Sequence, residues 1–203
     1  MENVYKFLER VGVNPKRPVG VDEAGRGSLA GPIVACALYI PEDTNILFVK
    51  DSKLLKPEAR EKILDRLLEK NIKFGISFVF PEEIDNLGIQ NANFTVIKKA
   101  IENLPIRPDL VLVDGFKVKN LKIRQIALIK GDRRIDVIAG ASIIAKVTRD
   151  RWMEAISEMY PEYRFDINKG YYSDFHVDMI KKIGISPLHR KTFEPIKSIL
   201  KGG

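Results

Sequence analysis

The stretch GVDEAGRGSLAGP, residues 20 to 32, runs straight into IVACALYI, residues 33 to 40, and decides how the rest of the chain is read. Two adjacent acids, Asp22 and Glu23, close one apolar β-rich run. A loop carrying Gly25, Arg26, Gly27 and Gly31 follows, and a second apolar run begins. Two such runs joined by a short glycine loop read as neighbouring strands of one sheet. The glycines, spaced G-x-G-x-x-x-G, resemble a dinucleotide fingerprint on the surface only. That fingerprint needs a helix whose N-terminus faces a pyrophosphate, and here Pro32 and a β-rich run come next. No Walker A sequence occurs anywhere in the chain. What bare glycines do offer is close approach of main-chain N–H and C=O groups to a ligand, and Arg26 between them can reach a phosphate.

Outward from this pair, IKFGISFVF (72–80) reads as a third strand. A helix precedes it, with Asp51 or Ser52 as cap, Pro57 in the first turn and Ile63, Leu64, Leu67 and Leu68 as its apolar stripe. IQNANFTVIKKAIENL (89–104) is an amphipathic helix with Phe94, Ile97 and Ile101 on one side. DLVLVDG (109–115) and RQIALIKGD (124–132) are further strands, and a long helix runs from about 137 to 159. Residues 3–11 form a short leading helix interrupted by NPKRP, and 166–203 look helical and loop-like, without a strand. This order predicts an α/β fold, a mixed five-stranded sheet flanked by helices, antiparallel in its first half and parallel in its second, with a helical C-terminal extension. With 203 residues and 45% hydrophobic content the chain suits one sizeable core. It divides into a leading segment 1–18, a core 19–165 and a helical extension 166–203.

Composition narrows the function. The net charge of +7 is the sign expected of a protein that meets polyphosphate. FKVKNLKIRQIALIKGDRR (116–134) and HRKTFEPIKSILK (189–201) are densely basic, although such runs are ordinarily a solvated face. No run approaches the roughly 20 apolar residues of a membrane span, and the N-terminus lacks the features of a signal peptide. A cytoplasmic monomer with no membrane association is expected. The single cysteine, Cys36, sits in an apolar run as a small hydrophobe, and no G-x-S-x-G occurs, so thiol and serine nucleophiles are both disfavoured. Two histidines, His176 and His189, are a poor inventory for zinc.

The acids carry the chemistry. Asp22, Glu23, Asp114 and Asp132 each stand at the end of an apolar β run, next to glycine or a turn, and ligands collect beyond the carboxyl ends of parallel strands. Four carboxylates gathered there repel one another unless cations neutralise them. Oxygen-only ligands point to Mg²⁺ or Mn²⁺, and two such ions about 3.5–4 Å apart would clamp the attacking and leaving oxygens of a phosphodiester. Taken singly, each acid reads more readily as a cap or turn residue. Neighbours in a strand point to opposite faces. Asp22 and Glu23 therefore share one site only if the strand bends at Glu23 or one of them contributes a main-chain carbonyl. On the long helix, Ala141, Ile144, Ala145, Thr148, Trp152, Ala155, Ile156 and Met159 form the expected buried stripe. Ser142, Lys146 and Arg149 then line a second face that can follow a phosphodiester backbone, or form an ordinary solvent face. A non-catalytic nucleic-acid binding module and another two-metal nuclease remain alternatives at this point.

Together the segments resemble type 2 ribonuclease H, the ribonuclease HII family. GVDEAGRGSLAGP, DSKLL (51–55), VLVDG (111–115), KGD (130–132), AGASIIAKVTRDR (139–151), NKGYYSDFH (168–176) and SPLHRKTFEP (186–195) fall in that family's order and spacing. The glycine–arginine–glycine form favours this family over the similar ribonuclease HIII, which usually has lysine after a serine in that loop. The resemblance implies a ribonuclease H-like sheet and a metal-dependent endonuclease acting on RNA/DNA hybrid and on ribonucleotide-containing duplex DNA. Cleavage is implied on the 5′ side of the ribonucleotide, leaving a 3′ hydroxyl and a 5′ phosphate. By motif position, Asp22, Glu23, Asp114 and Asp132 match the metal-binding acids. Gly25, Arg26 and Gly27 match the loop that reads the ribose 2′-OH through main-chain groups, Tyr171 the tyrosine that stacks on the following sugar, and Lys53, Ser142, Lys146 and Arg149 the phosphate contacts. Tyr172 and Arg133 depart from the family pattern, each standing where a small residue is more usual.

Overall fold

The computed structural model describes residues 1–44 and 56–202. Its centre is β1 (Pro18–Ala24), which pairs antiparallel with β2 (Ile33–Tyr39) and parallel with β4 (Leu110–Asp114). β3 (Lys73–Val79) extends the antiparallel side and β5 (Gln125–Leu128) the parallel side, giving the order β3-β2-β1-β4-β5. This is the mixed sheet that the strand pattern predicts.

Alternation along β1 sorts the two faces. Val19 and Val21 join the core under α4 (Ile89–Glu102), with Phe94, Val96, Ile97 and Ala100. The other face, with Cys36, Leu38 and Leu112, packs beneath α5 (Asp136–Ser157), α2 (Pro57–Leu68) and α1 (Val4–Arg10). Gly20 lies directly under α5, where an added Cβ would stand 2.5 Å from the carbonyl carbon of Val137. Only glycine lets the helix cross β1 at this separation, which fixes where the N-terminal half of α5 meets the strand ends.

Three element-level expectations change. α2 begins at Pro57 with Lys56 as N-cap, later than the expected caps Asp51 and Ser52, which lie outside the described residues. A short α3 (Pro81–Leu87) precedes α4; Pro81 fits its first turn, and seven residues are too few for a periodic stripe to show. The buried side of α5 also differs from the apolar stripe. Ala155 and Met159 are exposed, whereas the buried line runs on through Arg149, Met153 and Ser157.

The C-terminal part folds as α6 (Phe165–Asn168), α7 (Asp174–Ile183) and α8 (Ile196–Gly202). Phe165, Val177, Ile180 and Ile196 form a third core with Leu29 and Ala30 of the glycine loop and Met153 of α5. The extension is thereby packed onto the loop that follows β1. Among the described residues no helix is long and apolar enough to cross a membrane.

Candidate active site at the strand ends

Parallel pairing of β1 with β4 matches Val21 to Val113, so Asp22 and Asp114 follow side by side. β5 ends at Leu128. The chain then turns through Lys130, in the left-handed region at φ 54°, into a 3₁₀ turn over Gly131–Arg133. That turn folds Asp132 back over the strand ends: the Gly131 N–H donates to Asp114 Oδ1 at 2.6 Å, and the Asp132 N–H reaches the same oxygen at 3.4 Å. One carboxylate oxygen each from Asp22, Asp114 and Asp132 lies within 4.8 Å of the other two. Asp22 and Asp132 are each 2% exposed. At an effective dielectric of about 20, each ionised pair at this range repels by roughly 3 kcal/mol. A cation is the simplest way to keep all three charged. The donor set is oxygen only, which fits a hard divalent ion.

Glu23 stands apart from this group. β1 carries no bulge there, since its register with β2 runs unbroken through Glu23↔Ala35 to Ala24↔Val34. Strand alternation therefore turns Glu23 to the α4 side, where Asn93 Nδ2 donates to Glu23 Oε1 at 3.2 Å. The conflict foreseen from strand geometry is resolved by separation: three acids converge, and Glu23 borders them.

Beside the acids is a cleft of about 350 Å³ lined by Glu23, Ala24, Gly25, Arg26, Arg60, Ser142, Ile143, Lys146 and Tyr171. A larger hollow of about 840 Å³ beside α1 gathers neither the glycine loop nor the strand-end acids. In the smaller cleft, Lys146 Nζ lies 5.1 Å from the centre of the Tyr171 ring and donates to Asp150 Oδ1 at 2.8 Å. The Arg26 guanidinium is held by Gln90 Oε1 at 2.9 Å and lies 5.3 Å from the centre of the Phe116 ring. Gly27 is exposed, and an added Cβ there would meet nothing within 4 Å. Its bareness is thus not required by the chain's own packing. Lys53 falls outside the described residues.

Arg149 corrects the expectation of an open second face on α5. It is 0% exposed. Nε donates to the Pro32 carbonyl, Nη1 to the Lys169 carbonyl, and Nη2 to Ser28 Oγ and the Ala30 carbonyl. Its guanidinium is committed to the glycine loop and the Lys169 carbonyl, and it lies 5.1 Å from the centre of the Tyr171 ring. The two departures from the family pattern sit on the surface: Arg133 is exposed beside buried Asp132, and Tyr172 is 61% exposed with its hydroxyl on Asp174 Oδ1.

Sequence reasoning missed three features. Asn93 sits one helical turn from Ile97 on α4, so a polar residue within an apolar stripe was its available signal. Arg190 lies in a run read as solvated, yet it is 0% exposed. Burial, and then the charge of Arg149, pulls its guanidinium down to about 9, which still leaves it charged at neutral pH. His176 and His189 are buried against each other, with Nε2···Nε2 at 3.0 Å.

A ribonuclease H-like sheet with a carboxylate cluster at the ends of its parallel strands defines the class, a nuclease that works with divalent metal. Residues 19–196 match the family model for ribonuclease HII. The chain is 47% identical over 200 residues to ribonuclease HII of Caldicellulosiruptor bescii, covering 98% of this chain and 96% of that protein. It is 45% identical over 181 residues to the Thermotoga maritima ribonuclease HII, covering 89% and 74%. Among solved structures, ribonuclease H2 from Pyrococcus horikoshii matches with a TM-score of 0.77 at 32% identity, over 92% of this chain and 98% of that one. The chain belongs to the ribonuclease HII family. It is a ribonuclease H, an endonuclease acting on the RNA strand of RNA/DNA hybrids.

Proposed function

We propose that the enzyme also cuts duplex DNA on the 5′ side of a single embedded ribonucleotide, leaving a 3′ hydroxyl and a 5′ phosphate, and so serves ribonucleotide and primer removal. The observation that carries this reading is a cleft that Glu23, next to the three-acid cluster, shares with Gly25 and Arg26 of the loop, with exposed Gly27 following them in the chain. A 2′-OH is the group that separates a ribonucleotide from its DNA neighbours. Main-chain N–H and C=O groups close to the sugar are suited to reading it, because no side chain intervenes.

Asp22, Asp114 and Asp132 would hold two Mg²⁺ or Mn²⁺ ions, with Glu23 completing the ligand set from the bordering position. When bound, such ions supply an activated water and neutralise charge on the phosphate. The chain's own groups do the rest. Ser142 and Lys146 on the cleft wall hold phosphates, joined by Lys53, and Arg26 adds positive charge at the loop. The Tyr171 ring, with the cationic Lys146 already against it, offers a flat apolar surface to the sugar after the ribonucleotide. Because Tyr171 belongs to residues 166–203, that extension completes the substrate site. Arg149 is not among the phosphate contacts proposed.

The test uses an end-labelled duplex with one ribonucleotide, its all-DNA twin and an RNA/DNA hybrid, each with Mg²⁺ and with excess chelator. The expected result is a single 5′-side cut in the first, cutting of the hybrid, none in the twin, and no product with chelator. Equal cutting of the two DNA duplexes, or cutting that survives chelation, overturns the proposal.

A further inference from the structure

The glycine loop is wrapped around two buried cations. Arg190 Nη2 donates to the carbonyls of Gly25 at 2.7 Å and Gly31 at 2.8 Å, Nη1 to that of Arg26 at 2.9 Å, and Nε again to Gly31 at 3.1 Å. Arg149 takes the carbonyls of Ala30 and Pro32 and the hydroxyl of Ser28, which itself donates to the Gly25 carbonyl at 2.9 Å. The Arg190 N–H adds the Leu29 carbonyl at 2.9 Å. Six carbonyls between Gly25 and Pro32 therefore point inward. The fit leaves no slack: a Cβ on Gly25 would stand 2.0 Å from Arg149 Nε.

A trans peptide is planar, with its C=O and N–H on opposite sides. Drawing in the carbonyls of Gly25 and Arg26 consequently turns out the N–H groups of Arg26 and Gly27. Neither N–H donates to any acceptor among the described residues. The N–H groups further along are tied down: Ser28 to the Gly25 carbonyl, Leu29 and Ala30 to Gly170, and Gly31 to Leu188. Two outward donors thus remain, one on Arg26, which lines the cleft with Glu23, and one on exposed Gly27 next to it.

We infer that Arg149 and Arg190 are positioning residues for ribose selection, two buried guanidinium groups that set the peptide planes of the loop and so present the Arg26 and Gly27 N–H groups to the sugar. This rests on the proposed reading of the loop as the ribose reader. Neither arginine touches substrate. Lysine is a poor substitute at either place, because a point charge with three donors on a flexible stem does not reproduce the planar fork that spans several carbonyls.

The full-length chain and its Arg190→Lys variant are compared for binding to the single-ribonucleotide duplex and to its all-DNA twin, in chelator so that no turnover occurs. Positioning predicts that the preference for the ribonucleotide falls by about tenfold, the worth of one hydrogen bond, while affinity for the twin holds. A variant that keeps the wild-type preference, or loses both affinities in parallel, overturns the inference. Hydrogen exchange on the unaltered protein keeps the inference testable should the variant not fold. The Arg26 and Gly27 amides are expected to exchange fast, those of Ser28 to Gly31 slowly, and only the ribonucleotide duplex is expected to slow the first two. Protected Arg26 and Gly27 amides in the free protein overturn it as well. A wild-type chain that cuts both DNA duplexes alike sinks the underlying reading, whereas a selective wild type with an equally selective Arg190→Lys variant sinks the inference alone.

Discussion

Asn93 shows how one buried side chain can serve a site by holding one of its acids. It is fully buried on α4, its Nδ2 holds Glu23 Oε1, and its Oδ1 has no partner among the described residues. Deleting the amide removes a buried, unsatisfied oxygen as well as a hydrogen bond, and these effects oppose one another. Asn93→Ala is therefore expected to shift stability by no more than about 1–2 kcal/mol while lowering turnover about tenfold, as Glu23 loses its anchor. Thermal unfolding and steady-state kinetics on the RNA/DNA hybrid check this; unchanged turnover contradicts it. At this scale the sequence was informative where a residue type stood at a strand end. Asp132, on the short KGD motif, joins Asp22 and Asp114, and strand alternation foretold the difficulty with Glu23. It misplaced Arg149 on an open face and gave no sign of Arg190's burial, because hydropathy assigns arginine to the surface and nothing local reveals that loop carbonyls will surround it.

Among the elements, α7 is tied to the rest of the extension through a directed hydrogen-bond chain. The Ser186 N–H donates to His189 Nδ1 at 2.9 Å, which places the His189 proton on Nε2. That proton points at His176 Nε2, and His176 Nδ1–H then donates to the Tyr171 carbonyl at 2.9 Å. Protonating either ring sets two N–H groups head to head. Burial lowers both histidines, His189 to about 4 with help from the charge on His176. Both rings bind fewer protons folded than unfolded, so their stabilisation is complete above about pH 6.5 and is lost as pH falls toward 4, by roughly 3 kcal/mol at most for His189. Asp136 has the opposite sign. Burial pushes it up to about 6, so its contribution is greatest below about pH 4 and is lost as pH rises through 6. Subtracting a His189→Asn variant from wild type cancels Asp136. The gap between their unfolding midpoints is expected to narrow from pH 7.5 to pH 5; a constant gap contradicts the histidine account. Strands and long helices were legible because their periods repeat. Short α3 and the polar buried side of α5 beyond Ala145 were not, since each depends on tertiary partners that local pattern does not encode.

For the whole molecule, the excess positive charge has a place as well as a sign. Lys130, Arg133 and Arg134 are exposed around buried Asp132, and Lys117, Lys119, Lys122 and Arg124 are exposed on the segment that leads from β4 to β5. A duplex reaching the acids would pass this surface. Lys130→Gln and Arg134→Gln are each expected to weaken binding of hybrid and all-DNA duplex alike, and to flatten the log-affinity against log-salt slope by about 0.9 for each phosphate no longer neutralised. Equilibrium binding across a salt series measures the slope, and unchanged slopes would place the duplex elsewhere. The chain's overall order was readable from the alternation of apolar runs and turns, but the convergence of Asp22, Asp114 and Asp132 required strands far apart in the chain to pair in parallel. Everything chemical depends on that convergence. The most direct measurement is anomalous scattering from a crystal of the unaltered protein soaked in Mn²⁺: the account predicts a metal peak coordinated jointly by Asp22, Asp114 and Asp132, and a Mn²⁺ peak found only elsewhere, or none at these three carboxylates, would contradict it.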